Sequence, residues 1–124
     1  MSKFVKISTQ LRDVALVKKA LDDLKIGYQE NARYVHRWSG FSGDVPLVVQ
    51  GPGLSVGLRA KEDGTLEVLA DDMQMGRVRP LMQQVQQRYA YHSVLEATAA
   101  AGFDLVEEAV GADKVIRLTV RRWA

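Results

Sequence analysis

No cysteine occurs anywhere in the chain. That excludes disulfides, thiolate nucleophiles and cysteine-ligated iron or zinc, and it is in keeping with a reducing compartment. Long apolar runs are missing too. None approaches the roughly 20 residues needed to cross a bilayer, and the opening "MSKFVKISTQ" lacks the apolar segment of a secretory signal. Together these absences lead to the expectation of a soluble cytoplasmic domain with no membrane partner. An excess of one charge is also lacking: 17 Lys/Arg stand against 15 Asp/Glu, a formal +2. So small a surplus does not demand a nucleic acid, and local clustering would have to supply that argument. There is no phosphate loop ending in Gly-Lys-Ser/Thr, no calcium loop and no HExxH pair. No cofactor is expected.

What is present suits a compact core. The chain has 124 residues, 47% of them hydrophobic, the usual size for a single domain over 1–124. "FVKIS" (4–8) reads as an opening strand. Thr9 is placed to cap a helix over Leu11–Lys25, where Val14, Val17, Leu21 and Leu24 form a buried stripe. Gly27 is placed to end it. Residues 28–38 can continue as a strand. Glycines and prolines crowd the segment that follows, with "PLVVQ" and "LSVGLRA" as its clearest strands. In the latter, Leu54, Val56, Leu58 and Ala60 share one face. Leu66, Val68 and Ala70 alternate in the next strand. A second helix is expected over Arg79–Ala101, with Pro80 in its first turn and Gly102 at its end. "FDLVEEAV" and "KVIRLTVRRW" form a hairpin around Gly111. The order β-α-β-β-β-β-α-β-β predicts an α+β domain: an antiparallel-rich sheet covered by two helices, with a possible duplication of β-α-β-β units.

Three groups of residues could carry chemistry. On the second helix, Arg88, His92 and Glu96 recur at four-residue spacing, so neighbours can meet. Histidine titrates near neutrality and could use such a carboxylate for acid/base work. The commoner reading is a packed histidine that gives the helix its specificity. Asp71 and Asp72 lie just past a strand, where metal ligands can sit, yet adjacent carboxylates point apart and more often cap the next element. In "RYVHRW", an extended chain puts Tyr34, His36 and Trp38 on one face and Arg33, Val35 and Arg37 on the other. Such aromatic and basic faces could bind single-stranded nucleic acid, with Arg59, Lys61, Arg117 and Arg121 enlarging the basic one. The alternative is that the aromatics pack and the arginines are solvated.

"STQLRD" at the first strand–helix junction, "QRYAYHSVLEATAAAGF" along the second helix, and "IRLTVRRW" at the end resemble a small uncharacterised family. It is shared by cyanobacteria and algal plastids and described as a conserved hypothetical chloroplast reading frame. Thr9, Gln10, Arg88, Tyr89, Tyr91, His92, Gly102, Arg122 and Trp123 carry the resemblance. "ADDMQMGRVRP" departs from it, lacking the tryptophan-containing segment of plastid members. The resemblance implies an accessory cellular role and supplies no reaction or cofactor.

The leading expectation is therefore a non-enzymatic interaction or assembly-accessory domain that meets another protein or a second copy of itself. Trp38, Phe41, Tyr91 and Trp123 are its candidate contact residues, since aromatics anchor interfaces. Nucleic-acid binding through Arg33, Arg37, Arg59, Arg117 and Arg121 is the alternative. An enzyme built on Arg88, His92 and Glu96 is a minor one.

Overall fold

A computed structural model describes residues 2–51 and 53–122. The element order is the expected one: β1 (Phe4–Ser8), α1 (Val14–Asp23), β2 (Gly27–His36), β3 (Phe41–Gly51), β4 (Leu54–Ala60), β5 (Leu66–Asp71), α2 (Met75–Ala100), β6 (Phe103–Val110) and β7 (Ile116–Arg122). A short 3₁₀ turn, Asp72–Gln74, leads into α2. The strands form a five-stranded antiparallel sheet in the order β1-β5-β4-β3-β2, and a separate two-stranded sheet, β6-β7. The fold is thus α+β. The two halves repeat an element order but not an architecture, because β2 and β3 join the large sheet whereas β6 and β7 stand apart.

Several boundaries differ from expectation for local reasons. Thr9 does not cap α1. Its hydroxyl donates to the Leu66 carbonyl at 2.6 Å and accepts from the Leu11 N–H, tying the loop to β5. Asp13 is the cap, accepting from the N–H groups of Ala15 and Leu16, as an aspartate in extended backbone does well. At the other end Lys25, not Gly27, takes the left-handed conformation (φ 57°), and Gly27 already begins β2. Helix α2 starts four residues earlier than Arg79. The Asp71 carboxylate accepts from the Met73 N–H and nucleates the 3₁₀ turn that runs into it, leaving Pro80 inside the helix.

One face of the large sheet carries the main core. Leu47, Val49, Val56, Leu58, Leu66, Val68 and Ala70 from the strands meet Val17, Ala20 and Leu21 of α1 and Val78, Met82 and Val85 of α2. Burying such side chains stabilises by about 1.5–3 kcal/mol each. The sequence pattern predicted strands covered on this side alone. Instead β4 buries Val56, Gly57 and Leu58 in succession, and β5 buries Val68, Leu69 and Ala70. Something covers the other face as well.

The cover is the far half of the β2–β3 hairpin. Tyr28 packs with the helix-side core, yet Ala32 and Tyr34, of the same parity, pack with the opposite side. On β3, Leu47 and Val49 belong to the helix side, while Val45 belongs to the other. An unbroken strand cannot do this. The switch falls between the pairs Glu30–Leu47 and Ala32–Val45, where Asn31 has φ 48° and Pro46 removes a donor. Asparagine tolerates that conformation better than most residues. Beyond the bend the hairpin folds over the outer face of the sheet. Tyr34 lies on Gly57, whose added Cβ would stand only 3.1 Å from the tyrosine ring. Phe4 of β1 stacks on Phe41 with centroids 4.4 Å apart, and Val48 and Leu69 complete this second cluster.

Candidate functional site

The bend decides where His36 goes. At the end of β2 its side chain is only 4% exposed, beside Phe4. The turn that follows sets its chemistry. The Ser39 backbone N–H donates to Nδ1 at 3.2 Å, and the Ser39 hydroxyl is 2.7 Å from the same nitrogen. An amide can only donate, so Nδ1 is the lone-pair nitrogen and the neutral ring carries its proton on Nε2. Nε2 faces Asp71 Oδ2 of β5 across 3.6 Å, too far for a hydrogen bond. It is the buried side-chain polar atom among the described residues that has no partner.

Asp71 and Tyr34 share this corner. Burial pushes the Asp71 carboxyl up, but the bonds from the Met73 N–H and Ser2, with the nearby His36, outweigh it and hold its pKa below the ordinary aspartate value. Burial drives the Tyr34 phenol to about 12, with the Asp71 charge adding to the effect. The corner opens into a cleft of about 510 Å³ bounded by the β2–β3 turn, the β3–β4 turn and the start of the 3₁₀ segment. Trp38 stands at its rim, 72% exposed, because β2 ends at His36 rather than at Trp38. Tyr34 and His36 share a face as expected, and Trp38 does not continue it.

The polar cluster on α2 is assembled differently from its prediction. Arg88 Nε and His92 Nε2 both bond Asp23 Oδ2, at 2.9 and 2.6 Å. The carboxylate that both meet is therefore at the end of α1, and Glu96 is exposed. Burial pushes Asp23 up, while the bonds and charges of His92 and Arg88 bring its pKa below the usual value. One residue along, the Tyr89 hydroxyl accepts from the N–H groups of Arg12 and Asp13. Helix α2 thus grips α1 at both ends. Helical spacing made Arg88–His92–Glu96 legible; Asp23, distant in sequence, carried no signal.

Asp71 and Asp72 divide their work. Asp71 caps the 3₁₀ turn, and Asp72 accepts from the Lys3 N–H at 2.7 Å. Among the described residues no three His, Cys, Asp or Glu side chains converge as a metal site would need. The arginines of the nucleic-acid reading meet acids: Arg33 with Asp44, Arg59 with Glu67 and Arg117 with Asp113. Arg59 also lies over Phe41, 5.4 Å from its centroid. Arg37 and Arg121 are exposed. Tyr34 and His36 are packed inward and offer bases no stacking surface.

The candidate contact residues are scattered. Trp38 is at the cleft and Phe41 is in the outer-face cluster. Tyr91 bonds Glu108 of β6 through its hydroxyl, with Arg88 over its ring at 4.1 Å. Trp123 lies outside the described residues. A surface that the aromatic signal missed is the C-terminal arm, formed by α2 from about residue 90 with β6 and β7. Eight large hydrophobic residues are exposed in the described chain, and five belong to this arm: Val94, Leu105, Val106, Val110 and Val115. Its buried side is incomplete, leaving a groove of about 290 Å³ where Tyr91 and Val94 face Val115 and Leu118.

The architecture defines an α+β protein with a bent hairpin over one sheet face and an unshielded arm. The chain belongs to the family described as "Protein of unknown function (DUF1257)", which matches residues 20–119. It is 31% identical to the uncharacterized protein ycf35 of Cyanophora paradoxa, over 99% of this chain and 98% of that one. It is 31% identical to ycf35 of Guillardia theta and 29% to that of Pyropia yezoensis, with the same shares covered. No solved structure matches it. The resemblance read from the sequence therefore holds over nearly its whole length. The cytoplasmic expectation does not: these relatives are plastid-encoded ycf proteins and point to the plastid instead. No helix among the described residues is long and apolar enough to cross a membrane.

Proposed function

We propose that the protein is a non-enzymatic assembly domain that docks through its C-terminal arm, and that the arm's partner is a second copy of the chain. The observation that carries this reading is the concentration of exposed Val94, Leu105, Val106, Val110 and Val115 on one arm. Contiguous exposed apolar surface marks interaction sites. Among the described residues the arm's sheet has only two strands with no third neighbour, and a lone two-stranded sheet is marginal in water.

Charge favours self-pairing. Strand β6 carries Asp104, Glu107 and Glu108, while β7 carries Arg117, Arg121 and Arg122. Two arms stacked face to face about a two-fold axis along the strands set the acidic strand of one over the basic strand of the other. Like against like would align three carboxylates or three guanidiniums, which costs stability.

Sedimentation equilibrium on the full chain tests this reading. The expected result is a reversible increase to twice the chain mass with concentration. Val110→Asp should return it to a monomer with an unchanged melting temperature at low concentration. A wild-type chain that stays monomeric at the highest attainable concentration overturns the reading.

A further inference from the structure

We propose that the free edge of β1 takes up an extended segment of a partner protein as a further strand, and that this segment alternates acidic and aliphatic residues. This rests on the edge alone and is independent of the arm.

The register decides which backbone groups are free. β1 is the outermost strand on its side of the sheet and is bonded to β5. The Thr9 N–H donates to the Leu66 carbonyl and the Asp72 N–H to the Lys3 carbonyl, at 3.2 and 2.9 Å. These pairs continue the ladder in which Val5 faces Ala70 and Ile7 faces Val68. Bonded and non-bonded pairs alternate along an antiparallel ladder. Lys3, Val5, Ile7 and Thr9 therefore turn their backbone groups toward β5, and Phe4, Lys6 and Ser8 turn theirs outward. On the far side of β5 the Lys61 N–H bonds the Thr65 carbonyl, which fixes the same alternation. A row of outward groups is a template for strand addition. The opposite edge, β2, is less open. Asn31 interrupts it with φ 48°, and Glu30 is held by Lys18 of α1 at 2.8 Å.

The side chains around the edge set what kind of segment fits. Val5 and Ile7 belong to the helix side, where a groove of about 180 Å³ lies between β1 and α2. Ile7, Val68, Met75, Val78 and Met82 line it, with the exposed Arg79. Its volume is below the roughly 300–1,000 Å³ of a pocket for a free small molecule. It suits the aliphatic side chains that an added strand places beside Val5 and Ile7. Lys6 and Ser8 share the other face with Phe4, which packs in the outer cluster. There Lys61 Nζ donates to Ser8 Oγ at 3.2 Å. Glu67, opposite Ser8, is taken by Arg59 at 2.6 Å. Lys6 is exposed, and neither it nor Arg79 forms an ion pair among the described residues. A carboxylate at every second position of the added strand meets this basic side while the aliphatic positions enter the groove.

Charge also argues against a second copy of β1. Two such edges laid antiparallel with their outward residues matched set Lys6 against Lys6, and like charges directly opposite are destabilising. A lysine in mid-edge discourages self-pairing and leaves the edge to a segment of the opposite sign.

Hydrogen exchange and titration test the proposal. In the free chain the amides of Lys6 and Ser8 should exchange faster than those of Val5 and Ile7. The probe is a blocked peptide of about seven residues alternating glutamate and valine, longer than the five residues of β1. It is titrated to about 1 mM into the full chain and into Val110→Asp, which removes pairing through the arm. Saturable binding to both, with slowed exchange at Lys6 and Ser8, is the expected result. A peptide alternating lysine and valine should not bind. Lys6→Glu should bind the acidic peptide at least about tenfold more weakly, because like charges then face each other across the added pair. The proposal is overturned if the acidic peptide does not bind, if it leaves exchange at Lys6 and Ser8 unchanged, or if the basic peptide or folded Lys6→Glu gives equal binding. Exchange at these amides that slows with rising concentration of Val110→Asp alone names a second copy as the occupant and overturns it too.

Discussion

The five-stranded body and the C-terminal arm use the same kinds of residue to opposite effect. In the body, both faces of the sheet are covered, and Leu47, Val56, Leu58, Leu66, Val68 and Leu69 have almost no exposed surface. In the arm, β6 has seven of its eight residues exposed and neither strand has a buried one. Apolar alternation therefore makes a strand without deciding whether it is buried. Burial requires a second layer. The body has two layers, α1 with α2 on one side and the bent hairpin on the other. The arm has only the end of α2, an incomplete cover. The difference teaches where burial and exposure reside: the body covers its apolar residues, and the arm leaves several of its own exposed.

The comparison breaks most visibly in the body's core. Leu58→Ala removes a buried side chain of the helix-side cluster. A loss of about 2–5 kcal/mol is expected, read from the urea midpoint. A loss below about 1 kcal/mol would mean that the body is packed no better than the arm.

A smaller effect sharpens the role of the outer cover. Gly57→Ala would bring a Cβ to 3.1–3.3 Å from the Tyr34 side chain, forcing the bent hairpin to shift. Overpacking of this kind costs about 1–3 kcal/mol. The His36 ring resonances should move as well, because Tyr34 and His36 ride on the same strand. A wild-type melting curve with unmoved resonances would show that the hairpin does not lie on β4.

The grip of α2 on α1 comes next. Asp23→Asn should cost about 1 kcal/mol, since the pair is only partly buried and solvent screens it. The pH dependence has a definite sign. The folded pKa of Asp23 is depressed, so its contribution is present above the ordinary aspartate value of about 4 and is lost as pH falls through the folded value. Melting curves of wild type and variant should differ at pH 7 and converge in that acid range. A constant gap down to the acid limit would remove the carboxylate from the account.

The smallest effect on stability belongs to the arm. Val110→Ser should change the stability of the dilute monomer by no more than about 0.5 kcal/mol, as at ordinary surface positions, because Val110 is 62% exposed. Its effect should fall on self-association instead. A large loss of monomer stability would show that the arm is an integral part of the core.

The strands and helices were legible because their periods are written locally. Val14, Val17 and Leu21 mark α1 and Leu66, Val68 and Ala70 mark β5, whatever lies beside them. The candidate site was legible only in pieces. His36 and Trp38 were visible together in one segment, but Asp71 lay on another and in a different hypothesis. Nothing local said that β2 bends at Asn31, since a left-handed asparagine is one option among several. Without that bend His36 would not meet Asp71. Arg88 and His92 were legible as a helical pair, while Asp23 was not, because a partner 65 residues or more away leaves no periodic trace.

By itself, the sequence determined the element order, the α+β class, the helix-facing core and the family, for these depend on residue type and short-range spacing. Only the tertiary structure decided which sheet face the β2–β3 hairpin covers, which carboxylates Arg88, His92 and His36 face, and which alternating strands remain exposed. Those outcomes depend on layers brought together across long stretches of chain, and on one backbone turn at Asn31 that reverses the faces of everything beyond it.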